Sequence, residues 1–157
     1  KLPILLHKVE LWADSGGAGT WRGGLGYTAE TEWRGGEAMA STRRERHKFT
    51  PRGLLGGNNS LPCETEWIRA NGETQSLPGV ARFMINEGDV IRVKTTGSGG
   101  YGPPTQRLLS LVLDDVLDGR VSDKPAREIY GVVIHEGLID IEATQACRSK
   151  FEDGGAE

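Results

Sequence analysis

IRVKTTGSGGYGPPTQR, residues 91–107, divides the chain. An alternating apolar run ends at Gly97, Gly99, Gly100 and Gly102, passes through Pro103 and Pro104, and enters a helical pattern. The chain upstream of it is patterned as strand, and the chain downstream mostly as helix. Glycines admit main-chain conformations and close approaches that a Cβ forbids, so Gly97, Gly99, Gly100, Tyr101 and Gly102 form a candidate binding loop. Gly97, Gly99 and Gly102 also spell G-x-G-x-x-G, the pattern of dinucleotide-binding turns. In that motif the helix opens within the glycines and points its N-terminus at the pyrophosphate. Here the two prolines hold the residues before them out of the α region and delay the helix to about Pro104 or Thr105. The upstream chain also lacks the alternation of strands with helices that a βαβ unit needs, which argues against a dinucleotide.

Working upstream, residues 4–12 read as a half-buried strand. The segment DSGGAGTWRGGLG, residues 14–26, is a shaped loop, because a flexible spacer has no use for Trp21; its Arg22 is a candidate binding residue. Residues 27–34 and 37–48 predict a hairpin turning at Gly35-Gly36. Its second strand would set Arg44, Arg46 and Lys48 on one side, a row able to hold a carboxylate or phosphate, though a solvated edge made unattractive to other strands by charge is the favoured reading. A second glycine loop, FTPRGLLGGNN at 49–59, carries Leu54-Leu55. A further hairpin spans 64–77 around Asn71-Gly72, and strands at 80–85 and 89–95 are joined at Asn86-Glu87-Gly88.

Downstream, Leu108, Leu109, Val112, Leu113, Val116 and Leu117 fall at helical spacing, and Gly119 stops the helix. Ser122 caps a second helix over 123–130, with Pro125 in its first turn and Gly131 as the stop. Short strands at 132–135 and 139–141 precede a polar helix from about Glu142, and a tail, 151–157, is expected to be disordered. The fold class is α+β: mainly antiparallel β in the N-terminal two-thirds, then two or three short α-helices, as one β-rich domain over 1–150. On the first helix Asp115 falls inside the apolar arc, whereas Asp114 and Asp118 share the polar side with Arg107. A buried carboxylate needs compensation, so Asp115 is given a structural role with Arg120, Arg127 and the N–H groups around Ser122 as candidate partners.

The 157 residues carry a net charge of -3, which gives no electrostatic case for nucleic acid or a membrane surface. Glycine, at 23 residues, is about twice its average usage, so loops of special geometry take up much of the chain. Cys63 and Cys147 make no metal or redox spacing, and a reducing, cytoplasmic setting is the simpler reading. His7, His47 and His135 are too scattered to predict a metal site. No signal peptide or apolar run of spanning length is present in this stretch, and the start at Lys-Leu-Pro suggests a piece of a longer protein.

DSGGAGTWRGGLG, RRERHKFTPRGLLGG (43–57), LPG (77–79) with NEGDVIRVKTTGSGGYGPP (86–104), and LDDVLDGRVSDKPAREIYGVVI (113–134) resemble, in this order, the C-terminal part of the hydantoinase B family. Ser98 and Pro103 depart from the glycine and acidic residue usual there. The resemblance implies a B-type subunit of an ATP-dependent cyclic-amide hydrolase of hydantoinase or 5-oxoprolinase type, or of an acetone carboxylase acting on a ketone. It also implies a hydantoinase A-like partner that binds ATP and activates the amide or carbonyl oxygen, and a divalent metal for the whole enzyme. Most catalytic residues are expected outside this stretch, and no cofactor is expected within it. The competing reading is a non-catalytic β-rich binding module with Trp12, Trp21, Trp33 and Trp67 on its contact surface.

Overall fold

The computed structural model describes residues 2–153. Antiparallel strands fill its N-terminal part and three helices come after them, as the patterning predicts. The chain folds into two compact units, the first made of the stretch up to Trp12, Gly26–Thr50 and Pro62–Thr96, the second of Ala13–Leu25, Pro51–Leu61 and the chain from Gly97 on.

The first unit holds β1 (Ile4–Leu11), β2 (Tyr27–Trp33), β3 (Ala38–Arg43), β4 (Glu64–Ile68), β5 (Thr74–Ser76), β6 (Val80–Ile85) and β7 (Val90–Lys94). A five-stranded antiparallel sheet runs β1-β2-β7-β4-β5, and β3 pairs with β6 in a separate two-stranded sheet. The register gives the larger sheet two unlike faces. One carries Leu6, Val9, Ala29, Thr31, Ile91, Val93 and Trp67; the other carries Glu30, Arg92 and Glu66 in a row. On the charged face Arg92 reaches Glu30 at 2.8 Å and Glu66 at 3.1 Å. On the apolar face Phe83 of β6 packs 4.6 Å from the ring of Trp67.

The turn before β7 is organised by Asp89, a buried carboxylate that accepts hydrogen bonds from Trp67 Nε1 (3.0 Å), Ala70 N–H (2.9 Å) and Asn86 N–H (2.9 Å). Asp89→Asn puts an amide NH₂ where one oxygen accepted. It is expected to cost about 2 kcal/mol, read as a lower denaturant midpoint with unchanged m-value.

The expected hairpin at Gly35-Gly36 does not form. The Trp33 N–H donates to Asp89 O at 2.8 Å, Gly88 N–H donates to Trp33 O at 2.9 Å, and Arg34 N–H donates to Pro3 O at 2.7 Å, so the end of β2 is consumed by distant partners. The chain then crosses to the other sheet, where Ala40 faces Phe83. The row Arg44, Arg46, Lys48 is also corrected: β3 ends at Arg43, and Arg46 has φ +67°, so strand alternation does not extend through it. The Asn71-Gly72 hairpin forms as β4 and β5.

In the second unit a single 3-10 turn over Pro104–Gln106 precedes α1 (Leu109–Leu117), α2 (Asp123–Glu128), the small β8–β9 ladder (Ile134–His135, Leu138–Ile139) and α3 (Ile141–Asp153). Leu108 stands outside α1 in extended backbone and is exposed, contrary to its place in the predicted apolar face. Gly119 and Gly131, at φ +68° and +66°, take the left-handed conformation that ends helices. Ser122 precedes α2 but does not cap it with its side chain; its hydroxyl and N–H both donate to the Asp14 carboxylate at 2.8 Å. Ala18, Val112, Val121, Ala126, Tyr130 and Val132 form the core. α3 carries the chain through Asp153, and the rest of the expected disordered tail, 154–157, lies outside the described residues.

Candidate functional site

Three glycine-bearing loops of the second unit, 13–25, 51–61 and 97–103, are bonded main chain to main chain. Trp21 and Tyr101 exchange N–H···O bonds at 3.0 and 2.9 Å, and Tyr101 is bracketed on its other side by Leu54 N–H to Gly100 O and Gly102 N–H to Leu54 O, both 2.9 Å. Ser98 N–H donates to Gly24 O and Gly100 N–H to Asn58 O, each at 2.9 Å. A Cβ on Gly99 would overlap the Arg52 carbonyl, and one on Gly100 the Ala18 carbonyl. The close approach that the glycines permit is thus taken up by neighbouring loops of the same chain.

This arrangement does not suit phosphate. A phosphate cradle needs convergent free N–H groups, and those of Ser98, Gly100, Tyr101 and Gly102 are all spent on carbonyls. Among the described residues no three His, Cys, Asp or Glu side chains converge as metal ligands. Those four N–H groups therefore form no phosphate cradle, and the described His, Cys, Asp and Glu side chains form no metal cluster.

What the loops present outward is apolar. Trp21 is 65% exposed, Leu54 63% and Leu55 73%, with Tyr101 at 48%. Large side chains are thus held well into solvent by ordered main chain, as an exposed apolar surface. Nearby in the same unit, a pocket of about 290 Å³ is lined by Ala18, Leu61, Val121, Pro125, Ile129 and Tyr130, with Asp14 and Asn58 among its polar groups.

A buried ionic cluster anchors the loop 13–25. Asp115 is 2% exposed and accepts a two-pronged bond from Arg22, Nε to Oδ2 and Nη2 to Oδ1, both 3.0 Å. Arg107 Nη2 donates to the same Oδ2 at 2.9 Å while its Nη1 donates to Thr20 O at 3.1 Å. Burial pushes the Asp115 carboxyl up, but the Arg22 and Arg107 guanidiniums outweigh it and hold the carboxyl below its ordinary range. Burial pushes the Tyr130 hydroxyl up to about 12, so it stays neutral. Burial likewise raises the Cys63 thiol, away from the reactive thiolate.

Several sequence expectations move. Arg22 spends its guanidinium within the chain, on the Asp115 carboxylate and, through Nη1, on Gly23 O at 2.7 Å. Arg107 is buried against Asp115 rather than sharing an exposed side with Asp114 and Asp118. Arg120 stands farther off, at 3.7 Å from Asp115 and 2.8 Å from Asp118, and Arg127 is exposed on α2. Arg44 and Arg46 are exposed and belong to the first unit, whereas the glycine loops belong to the second. Of the four tryptophans only Trp21 is largely exposed: Trp67 is core, Trp12 lies under Lys94, and the Trp33 indole N–H donates to Gly36 O. Leu54 and Leu55 were legible as an apolar pair inside a glycine loop, but the pairing of Leu54 with Tyr101 was not.

The family profile described as Hydantoinase B/oxoprolinase matches residues 1–104. The chain is 36% identical to the caprolactamase subunit beta of Pseudomonas jessenii, over 94% of this chain and 26% of that one. It superposes with TM-score 0.82 on the crystal structure of the ATP-dependent caprolactamase from that organism, at 34% identity and over 94% of this chain and 26% of that one. A nucleotide-free acetone carboxylase structure gives TM-score 0.84 at 21% identity, over 98% of this chain and 25% of that one, a likeness of fold. The chain thus spans about a quarter of the length of these relatives. It belongs to the hydantoinase B/oxoprolinase family.

Proposed function

We propose that this chain is the part of a B-type subunit of an ATP-dependent cyclic-amide hydrolase that shapes the contact with a hydantoinase A-like subunit or domain and one wall of the active site, in a cytoplasmic enzyme. The family match and the similarity to the caprolactamase beta subunit support the class of enzyme. The observation that carries the local role is the platform of Trp21, Leu54, Leu55 and Tyr101, ordered at the main chain and apolar at the surface. Hydrolysis of such an amide requires attack on its carbonyl and stabilisation of the resulting oxyanion. No residue of this chain is assigned to that step: the N–H groups of Ser98, Gly100, Tyr101 and Gly102 are engaged, Tyr130 is held neutral, and Arg22 and Arg107 are bound to Asp115. ATP and a divalent metal belong, on this reading, to other parts of the enzyme. The carboxylase alternative, with a ketone substrate, rests on the likeness of fold.

Two measurements test the reading. The 157-residue chain assayed with ATP, a divalent metal and a lactam, hydantoin or 5-oxoproline is expected to give background rates; turnover that disappears with Tyr130→Phe would place chemistry here. In the full-length subunit, Trp21→Ala combined with Leu54→Ala is expected to cut recovery of the A-type subunit at least about tenfold, the loss of about 1.4 kcal/mol or more that two central contacts carry. Its own melting curve should be little changed, because both side chains are exposed. Undiminished recovery would remove the platform from the interface.

A further inference from the structure

The first unit is a sandwich whose smaller layer is incomplete. On the apolar face of the large sheet, the register sets Leu6 beside Thr31, Val9 beside Ala29 and Leu11 beside Tyr27. Among the described residues the layer opposite has only β3 and β6. β6 places Phe83 on Trp67 of β4, and β3 places Ala40 and Thr42 opposite Tyr27, Ala29 and Thr31 of β2, where they line a groove of about 410 Å³. Among the described residues nothing covers β1, so Ile4, Leu6, Val9 and Leu11 are each more than half exposed. Four apolar side chains in a row on one face of an edge strand are too much for a solvated surface.

The edge of β3 points the same way. Among the described residues β3 is hydrogen-bonded to β6 on one side only, which leaves the other row of main-chain donors and acceptors over 38–43 without strand partners there. Thr42 Oγ1, in the groove wall, is buried with no hydrogen-bond partner among the described residues. Arg43 and Arg44 stand at one end of the groove. Strands in a sheet lie about 4.8 Å apart, so a strand added to the free edge of β3 would lie across β1.

We infer that an extended segment of the parent subunit, outside these 157 residues, adds to the free edge of β3 as a third strand. It lays apolar side chains on Val9, Leu11 and Tyr27 and brings a carboxylate to Arg43 and Arg44. This is strand addition, in which main-chain bonds give affinity and alternate side chains fill pockets. The occupant comes from the same polypeptide because the relatives extend the matched stretch about fourfold, which provides ample chain in cis. The inference rests on the reading that the chain belongs to a longer subunit, and it is independent of whether the loop platform meets an A-type partner.

Hydrogen exchange, followed by mass spectrometry on the 157-residue chain and on the full-length subunit without its partner, tests it. Edge amides of β3 are expected to exchange rapidly in the shorter chain and about a hundredfold more slowly in the longer one. Leu11→Asp should leave the melting midpoint of the 157-residue chain unchanged within error and lower that of the full-length subunit by several degrees. Equal exchange in the two proteins, or equal small effects of Leu11→Asp, would overturn the inference. So would protection that rises with concentration of the 157-residue chain, which makes a second copy the occupant, or protection that arises only when the A-type subunit is added.

Discussion

Asp115→Ala is expected to destabilise the 157-residue chain by about 3–5 kcal/mol, because it leaves Arg22 and Arg107 buried without their shared carboxylate. Removing one member of a buried ion pair costs far more than the pair contributes when intact, since the survivors keep their desolvation penalty. Here two guanidiniums are stranded at once. Arg22 also belongs to the loop 13–25, so its release frees the platform. Asp118→Ala is the control: its carboxylate is exposed and meets half-exposed Arg120 at 2.8 Å, an arrangement that contributes under about 1 kcal/mol. Denaturant melts of the two variants side by side decide it, and equal small losses would make Asp115 one more solvated acid.

Acid titration adds an independent reading. The folded-state pKa of Asp115 lies below its ordinary value, so its contribution is complete above the unfolded carboxylate pKa of about 3.9 and is lost as pH falls through the lower folded value. Below about pH 4 the wild type should therefore lose stability more steeply than Asp115→Asn, which has no carboxylate to protonate. Parallel curves would show that the two guanidiniums do not act on this group.

The burial of Asp115 could be read from a helical wheel because one helix face is a local property of the sequence. Its partners could not. Arg22 is 93 positions away, and Arg107 precedes α1 through a turn that the wheel does not describe. Local turn chemistry was equally legible at Asn71-Gly72, Gly119 and Gly131, where one backbone conformation decides the outcome. It failed at Gly35-Gly36, where the turn signal is weaker than the demand of β3 to pair with a strand some forty residues on. The apolar pattern of β1 was visible, but the half-buried strand it predicts is exposed along its length, which no local pattern can tell. The glycine excess was the most misleading feature. It marks close main-chain approach, and nothing in the residues themselves tells whether the approaching group is a ligand or another loop.

Gly100→Ala separates those two meanings. A Cβ at Gly100 would overlap the Ala18 carbonyl and lie 2.7 Å from Gly17 O, and neither loop can yield because Gly100 N–H is bonded to Asn58 O and Gly100 O accepts from Leu54 N–H. The clash is with main chain, so no rotamer change relieves it. A cost of about 3 kcal/mol or more is expected, at the upper end of what overpacking a tight site usually exacts. Gly36→Ala is the matched control, since a Cβ there meets nothing within 4 Å and its φ lies outside the left-handed range. Gly36→Ala should leave stability within about 0.5 kcal/mol of wild type. Were the loop 97–102 a ligand cradle, the order would reverse in kind: Gly100→Ala would fold as stably as wild type and fail only in binding. A melting midpoint for Gly100→Ala equal to that of Gly36→Ala would therefore return the glycines to a ligand. A deep loss confined to Gly100→Ala would assign them to joining three loops into the surface that carries Trp21, Leu54 and Tyr101.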